Sequence, residues 1–234
     1  MLLEDKPLPR LQERLGVQFQ NPALLEEALT HGSYTCEHPD ARHNQRLEFL
    51  GDAVLELLVS EVLFHRLPQA PEGELTRLRA AVVCEPSLAR AAKDLGLGRE
   101  MRMGRGEELS GGRQRPSVLA DAFEAVLGAV YLDRGLAVAR DFVAQHLGGI
   151  IDDVMAGRHE PDYKTELQEK LQRFSPDPVT YVILKEEGPP HARTFTAGVL
   201  YRGTLIGRGS GRSKKEAEQQ AAKAALTQHT LFGD

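Results

Sequence analysis

Apolar residues in the first two thirds of the chain recur every three to four positions, the spacing of one face of an α-helix. Asn21-Pro22 and Asn44 are favourable helix starts, and Leu67-Pro68 and Gly96 are favourable ends. The pattern predicts helices over residues 23–30, 45–66, 72–84, 87–95, 117–131 and 135–147, with Ser87 and Ser117 as caps of the fourth and fifth. Because no segment here alternates with the period of two that strands show, this part is predicted to be all-α.

The pattern changes after residues 152–160, a mostly polar stretch that indicates a linker. A helix is predicted next, then three segments rich in Val, Ile, Thr, Tyr and Phe, which are typical of strands. Arg202-Gly203 favours a tight hairpin turn, and Ser213 is a favourable cap for a final alanine-rich helix. The predicted elements are a helix over 163–174, strands over 178–187, 193–201 and 204–211, and a helix over 214–226. The second part is therefore predicted to be a small α-β-β-β-α domain.

Composition excludes several classes of protein. Of the 234 residues, 41% are hydrophobic and 27% charged, as in an ordinary globular protein. Since no apolar run approaches about 18 residues, we expect no membrane span. The first ten residues lack the basic and apolar regions of a secretory signal, which favours a cytoplasmic protein. Cys36 and Cys84 form no zinc-binding pattern, even with the nearby histidines.

Charge is spread unevenly along the chain. Residues 1–159 carry a net charge of −6 and residues 160–234 a net charge of +1. No acidic residue occurs between Glu187 and Glu216, an interval with six basic side chains. Because a local basic stripe is a better indicator of nucleic-acid binding than the overall charge, the second part is the candidate binding region.

Two predicted apolar helices each carry a pair of acidic residues. Glu48 and Asp52 are four positions apart in NQRLEFLGD (44–52), and Asp121 and Glu124 are three apart in ADAFEAVLGAVYLD (120–133). Members of each pair therefore lie on one helix face. A buried charge is costly unless it is paired or binds a metal, whereas either pair alone is more typical of solvated surface. The basic residues that could neutralise the acids instead are Arg46, Arg77 and Arg79. The two pairs together favour a metal site.

The predicted α-β-β-β-α order, with GRGSGRSKKEAEQQAA (207–222) at the last strand–helix junction, resembles the double-stranded RNA-binding domain. A helix N-terminus offers free N–H groups and a positive dipole end, and the glycines Gly207, Gly209 and Gly211 would let backbone approach phosphate. Such domains contact two minor grooves and the phosphates between them. The RNA-contacting residues implied by the resemblance are Thr165, Gln168, Glu169, His191, Arg212, Lys214 and Lys215.

The two acidic motifs also resemble the ribonuclease III family. THGSY (30–34), EGELTRLRA (72–80) and GEELSGG (106–112) match in the same order, so the resemblance covers nearly the whole chain. It implies an all-α nuclease domain over 1–151, a linker over 152–160 and an α+β RNA-binding domain over 161–230. The implied protein is a cytoplasmic homodimer that cleaves double-stranded RNA, including ribosomal RNA precursors. Its implied products carry 5′-phosphate and 3′-hydroxyl ends with a short 3′ overhang.

The resemblance implies roles for individual residues at this site. The implied cofactor is Mg²⁺, for which Mn²⁺ can substitute. The implied metal ligands are Glu48, Asp52, Asp121 and Glu124. Asp52 and Glu124 are the implied catalytic pair, with Asp52 either a ligand or a carboxylate that orients water. Glu72 matches an auxiliary acidic position.

Gln45 departs from the family pattern, because many members have glutamate there. An amide can bind water or ribose but cannot act as a base. The alternative function is therefore a catalytically weakened dimer that only binds double-stranded RNA. Two further basic residues, Arg113 and Arg115, are predicted to touch RNA phosphate or solvent.

Overall fold

The computed structural model describes residues 8–158, 163–172, 175, 177–189 and 193–227. The chain divides into two compact units, Met1–His159 and Glu160–Asp234. The described part of the first unit is helical except for loops and one isolated bridge between Thr30 and Arg102. The second unit contains a three-stranded sheet and two helices. The predicted fold class, an all-α domain followed by an α-β-β-β-α domain, is confirmed.

Nine helices are described in the first unit. They are α1 (Leu8–Leu15), α2 (Pro22–Ala28), α3 (Gly32–Thr35), α4 (Gln45–Arg66), α5 (Glu72–Val82), α6 (Glu85–Asp94), α7 (Leu97–Glu100), α8 (Arg105–Leu109) and α9 (Pro116–Met155), with a 3₁₀ turn at Gly112–Gln114. The sequence did not predict α1, α3, α7 or α8. These helices span four to eight residues, too few to repeat an apolar period clearly. Helices α2, α4, α5 and α6 agree with predicted helices to within about two residues at each end.

The predicted caps are correct in one case of the first unit and wrong in others. The Asn21 side chain accepts a hydrogen bond from Ala23 N–H at the start of α2. Asn44 precedes α4 but makes no side-chain cap. Ser87 lies inside α6, where its hydroxyl donates to Ala81 O instead, and Ser117 lies inside α9. The helices begin earlier because proline is favoured in a first turn, and both α6 and α9 have one there.

The last two helices predicted in the first unit merge into α9. The helix is interrupted only at Gly135, whose φ of 79° and ψ of 177° mark a sharp kink. After the kink it continues to Met155, beyond the predicted end at 147 and into the predicted linker. Ile151 and Val154 are each 1% exposed, so this extension packs against the core. The helix therefore continues about four residues past the predicted start of the linker at 152.

Helices α4 and α9 cross at very short range. A Cβ atom on Gly51 of α4 would lie 1.8 Å from Glu124 O, and one on Gly128 of α9 would lie 2.3 Å from Leu47 O. Neither contact is sterically possible, so the two glycines are what permits this approach. Further along, Arg140 and Glu61 form an ion pair between α9 and α4 at 2.9 Å. The acidic motifs of both helices therefore meet at one crossing.

In the second unit, α10 (Tyr163–Gln172) is followed by β1 (Thr180–Glu187), β2 (Thr194–Tyr201), β3 (Thr204–Gly211) and α11 (Lys214–Leu226). The strands form an antiparallel sheet in the order β1-β2-β3. Arg202 and Gly203 have φ values of 52° and 75°, which confirms the predicted hairpin turn. Ser213 accepts a hydrogen bond from Glu216 N–H and caps α11 as predicted.

The glycines of β3 serve packing within the domain. A Cβ on Gly207 would lie 2.4 Å from Ala221 O, and one on Gly209 would lie 2.1 Å from Ala221 N. The face of β3 on which these glycines lie packs against α11. The alanines of α11 on that side are fully buried: Ala217, Ala221 and Ala225. The prediction that these glycines admit a phosphate is wrong, because glycine and alanine together let strand and helix pack closely. Of the helices that the structure describes, none is long and apolar enough to cross a bilayer.

Candidate active site

Three carboxylates converge where α4 and α9 cross. Glu48, Asp121 and Glu124 each place one oxygen so that these oxygens all lie within 4.8 Å of one another. All three side chains are half-buried. Glu48 lies one turn before Gly51, and Glu124 contributes the carbonyl oxygen closest to Gly51. The close helix crossing therefore brings the two acidic motifs together.

Asp52 lies one turn further along α4 and is exposed. The three-oxygen group does not include it. Its charge nevertheless acts on Glu48 and Glu124, whose pKa values it raises. Asp52 is therefore placed at the edge of the cluster, facing solvent.

The cluster is electrostatically strained. Burial, together with repulsion from Asp52, Asp121 and Glu48, raises the pKa of Glu124 to about 8. Burial also raises the pKa of Glu48, with further repulsion from Asp121 and Asp52. The pKa of Asp121 is raised by burial and by Glu85. A cation bound among these carboxylates would therefore favour their ionised forms.

Arginine does not neutralise these acids in the described part of the chain. Arg79, one predicted basic partner, donates to Ser60 Oγ at 3.1 Å. No arginine is among the described groups that shift the pKa values of the three acids, Glu48, Asp121 and Glu124. Neither Arg46 nor Arg77 therefore acts on them in this way. A negative cluster that no described arginine neutralises fits a bound cation, as carboxylate oxygens are the ligands hard cations prefer.

Two residues near the cluster were not predicted. His31 lowers the pKa of Asp121, and Glu85, at the start of α6, raises it. His31 belongs to the THGSY motif that supported the family resemblance, so that motif was the available signal. Glu85 had no comparable signal, because it comes close to Asp121 only through the packing of α6 beside α9.

Gln45 and Glu72 are both exposed, outside the three-oxygen group. Gln45 begins α4, one turn before Glu48. Glu72 begins α5 and accepts a hydrogen bond from Thr76 Oγ1 at 2.8 Å. Their auxiliary roles stay predictions.

The predicted cationic residues of the second unit gather at the N-terminus of α11. Lys214 Nζ lies 3.2 Å from Glu186 Oε1 and 5.7 Å from the centre of the Phe195 ring. Arg212 N–H donates to Glu216 Oε2 at 2.7 Å, and Arg212 and Lys215 are exposed. This end of the helix presents three basic side chains to solvent.

The remaining predicted RNA contacts are only partly described. Gln168 on α10 accepts a hydrogen bond from Val179 N–H at 3.0 Å, so its amide oxygen holds the chain before β1. The side chains of Thr165 and Glu169, and all of His191, lie outside the described residues.

Arg113 and Arg115 have structural partners instead of free guanidinium groups. Arg113 donates to Gly98 O, to Met101 O and to the Glu108 carboxylate. Arg115 pairs with Glu107 at 2.5 Å. Both side chains fasten the loop that leads into α9, and Arg115 is exposed to solvent as predicted. Their contact with RNA phosphate stays a prediction.

Comparison with known proteins agrees with this geometry. Residues 21–150 match the family model described as ribonuclease-III-like, and residues 163–229 match the double-stranded RNA binding motif. The protein called Ribonuclease 3 from Desulforamulus reducens is 62% identical over 230 residues, covering 97% of this chain and 93% of its own. Its counterpart from Pelotomaculum thermopropionicum is 60% identical, with 97% and 95% covered.

Solved structures agree as well. The crystal structure of the nuclease domain of ribonuclease III from Campylobacter jejuni has a TM-score of 0.58 and 41% identity, covering 62% of this chain and 97% of that one. Another structure of that domain, which concerns flexibility in the region involved in dimer formation, has a TM-score of 0.57, 42% identity and coverage of 60% and 95%. The folds, the acidic cluster and these matches together show that the chain belongs to the ribonuclease III family of double-stranded RNA endoribonucleases.

Proposed function

We propose that the cluster at the α4–α9 crossing binds Mg²⁺ and hydrolyses phosphodiester bonds of double-stranded RNA. The observation that supports this most directly is the group of three carboxylate oxygens within 4.8 Å of one another. Burial and mutual repulsion raise the pKa values of these acids, so a divalent cation would relieve a strain already present. Mn²⁺ is expected to substitute, because it also prefers carboxylate and water oxygens.

Glu48, Asp121 and Glu124 would hold the metal. Asp52, exposed at the edge of the cluster, would accept a hydrogen bond from the attacking water and so orient it. When bound, Mg²⁺ lowers the pKa of that water and stabilises the entering and leaving oxygens. The 3′ oxygen leaves, so the expected products carry a 5′-phosphate and a 3′-hydroxyl.

The active form is proposed to be a homodimer. Phe49, Leu57 and Phe64 are 80%, 56% and 66% exposed along α4, an unusual exposure for large apolar side chains. The C. jejuni nuclease domain has a region involved in dimer formation, and we extend that assembly to this chain. Two cutting sites acting on opposite strands would leave the short 3′ overhang.

RNA would be held by the second unit at the α11 N-terminus. Arg212, Lys214 and Lys215 stand where backbone N–H groups and the helix dipole favour an anion. Lys214 would exchange Glu186 for phosphate, while the exposed Lys215 has no carboxylate to leave among the described residues. We place the natural substrates among ribosomal RNA precursors and other structured transcripts of the cytoplasm.

The decisive test is cleavage of a long RNA duplex with Mg²⁺ or with EDTA. We expect short duplexes with 5′-phosphates only when the metal is present. Glu124→Gln should slow cleavage by at least about 100-fold, because it removes a metal ligand. The same variant should bind duplex RNA normally, since the basic side chains of α11 are unchanged.

The second candidate is a dimer that binds double-stranded RNA without efficient cleavage. Gln45 favours it, because one carboxylate of the family pattern is missing from the start of α4. Duplex binding without Mg²⁺-dependent cutting, together with restored cutting by Gln45→Glu, would establish this alternative. Wild-type cutting at a rate equal to that of Gln45→Glu would exclude it.

A further inference from the structure

His31 engages only one of its two imidazole nitrogens. Its Nδ1 accepts a hydrogen bond from Ser33 N–H at 3.2 Å and lies 2.8 Å from Ser33 Oγ. The same hydroxyl oxygen accepts a hydrogen bond from Gly104 N–H at 3.0 Å. A nitrogen that accepts a hydrogen bond from a backbone N–H carries no proton, so in the neutral ring the proton lies on Nε2.

The Nε2–H group is free to bind a ligand. The described residues offer Nε2 no hydrogen-bond partner. Nε2 is also not one of the buried atoms without a partner, so solvent can reach it. The side chain is half-buried, and its Nδ1 contacts hold the ring in one orientation. His31 therefore presents a fixed donor to solvent.

Backbone hydrogen bonds hold this donor beside the acidic cluster. His31 N–H donates to Arg102 O at 2.9 Å, and the preceding Thr30 O accepts from Asn44 N–H at 2.9 Å. Asn44 O in turn accepts from Glu48 N–H at 2.9 Å. Two hydrogen bonds thus connect the residue before His31 to a proposed metal ligand. The influence of His31 on Asp121 places the ring near α9 as well.

The chemistry of the cluster indicates what this donor binds. An N–H beside several carboxylates that forms no hydrogen bond with them is available for an anion brought there by the metal. We propose that His31 is a further substrate-contacting residue, whose Nε2–H donates to a nonbridging phosphate oxygen of the RNA strand at the cluster. This proposal rests on the proposed function, since the metal site brings the phosphate to that position. The donor is already oriented, so its alignment costs little when RNA binds.

A pair of substitutions separates this role from simple capping of α3. The side-chain oxygen of asparagine reaches only as far as Nδ1, so His31→Asn keeps the acceptor for Ser33 and removes the distant donor. The amide nitrogen of glutamine reaches about as far as Nε2, so His31→Gln keeps a distant donor and weakens the cap. His38→Asn is the matched control, because His38 is an exposed histidine just after α3 that stacks on Tyr34 at 4.1 Å.

Cleavage of a long RNA duplex with Mg²⁺ should be measured under single-turnover conditions, along with duplex affinity and Tm. We expect His31→Asn to slow cleavage at saturating enzyme about 10- to 100-fold, the effect of losing one hydrogen bond to a charged group. Its affinity for the duplex and its Tm should be nearly unchanged. His31→Gln should recover part of the rate, and His38→Asn should match the wild type.

Capping alone predicts the reverse order, with His31→Asn active and His31→Gln slow and less stable. That order would overturn the proposal, and so would a His31→Gln rate no higher than that of His31→Asn. Glu124→Gln distinguishes failure of the proposed function from failure of the proposed role of His31. If it cleaves normally, the proposed function fails; if it is inactive while His31→Asn is normal, only the role of His31 fails.

Discussion

At the scale of single residues, ionisation of the acidic cluster lowers the free energy of unfolding when no metal is bound. Glu124 has an ordinary pKa of 4.5 and a folded-state pKa of about 8. The folded state therefore favours the protonated form more than the unfolded state does. The contribution of Glu124 to the free energy of unfolding is fully present below about pH 4.5 and is lost as the pH rises towards 8.

This sign leads to a prediction for Glu124→Gln without metal. Glutamine cannot ionise, so the variant should avoid the loss that the wild type suffers at high pH. We expect a gain of about 1–2 kcal/mol at pH 8 in EDTA, after discounting for solvent screening. That gain corresponds to a rise in Tm of about 2–8 °C, measured by differential scanning calorimetry. The difference should nearly vanish at pH 4.5, and a pH-independent difference would contradict this account.

The residues of the cluster were predictable to different degrees. Glu48, Asp121 and Glu124 followed from helical spacing and motif, because residues three or four apart share a face. Asp52 satisfied the same spacing but lies at the exposed edge of the cluster, since the crossing point is centred on Gly51. His31 and Glu85 approach Asp121 from other elements, and no spacing within one helix indicates such contacts.

At the scale of elements, the site depends on how closely α4 and α9 approach. Gly51 and Gly128 leave room for the backbone of the opposite helix. Spacing alone could place each acidic pair on a face but gave no distance between the faces. The glycines determine that distance, as any side chain there would separate the helices.

We expect Gly51→Ala to separate the helices at the crossing. Its methyl group would meet Glu124 O at 1.8 Å, so the variant should lose about 1–3 kcal/mol of stability or more and cleave RNA poorly. Gly149→Ala is the matched control, because that exposed glycine of α9 has open space around its Cβ position. It should gain up to about 1 kcal/mol from helix propensity. Urea denaturation of both variants is the measurement, and equal effects would refute the packing argument.

The N-terminus of α11 is the element proposed to bind phosphate. Lys214→Ala combined with Lys215→Ala should weaken duplex binding and reduce the salt dependence of affinity. If both lysines contact phosphate, the slope of log K against log salt should become less negative by up to about 2. Binding should be measured without Mg²⁺ across a series of KCl concentrations. Lys93→Ala, which removes an exposed charge from α6, serves as control, and an unchanged slope in the double variant would exclude the contact.

At the scale of the whole molecule, the exposed apolar face of α4 bears on assembly. Phe64→Glu should disrupt the proposed homodimer, because a charge would replace a side chain that is 66% exposed in the single chain. Light scattering during size-exclusion chromatography should report a mass near twice 25.8 kDa for the wild type and a shift towards 25.8 kDa for the variant. Leu109→Glu is the control, since Leu109 is a large apolar residue that is 79% exposed on a different helix, α8. A monomeric wild type would contradict the proposed assembly.

The sequence by itself determined the helical and α-β-β-β-α character of the two units, the long helices and the acidic motifs. These features arise from local periodicity, capping and turn chemistry, which neighbouring residues carry. Only the tertiary structure decided that α9 continues to Met155, that the β3 glycines meet α11, and that Arg113 and Arg115 fasten a loop. It also decided which carboxylates meet, and that His31 lies beside them with one nitrogen free. The physical reason is that these outcomes depend on distances between segments far apart in the chain, and packing sets those distances.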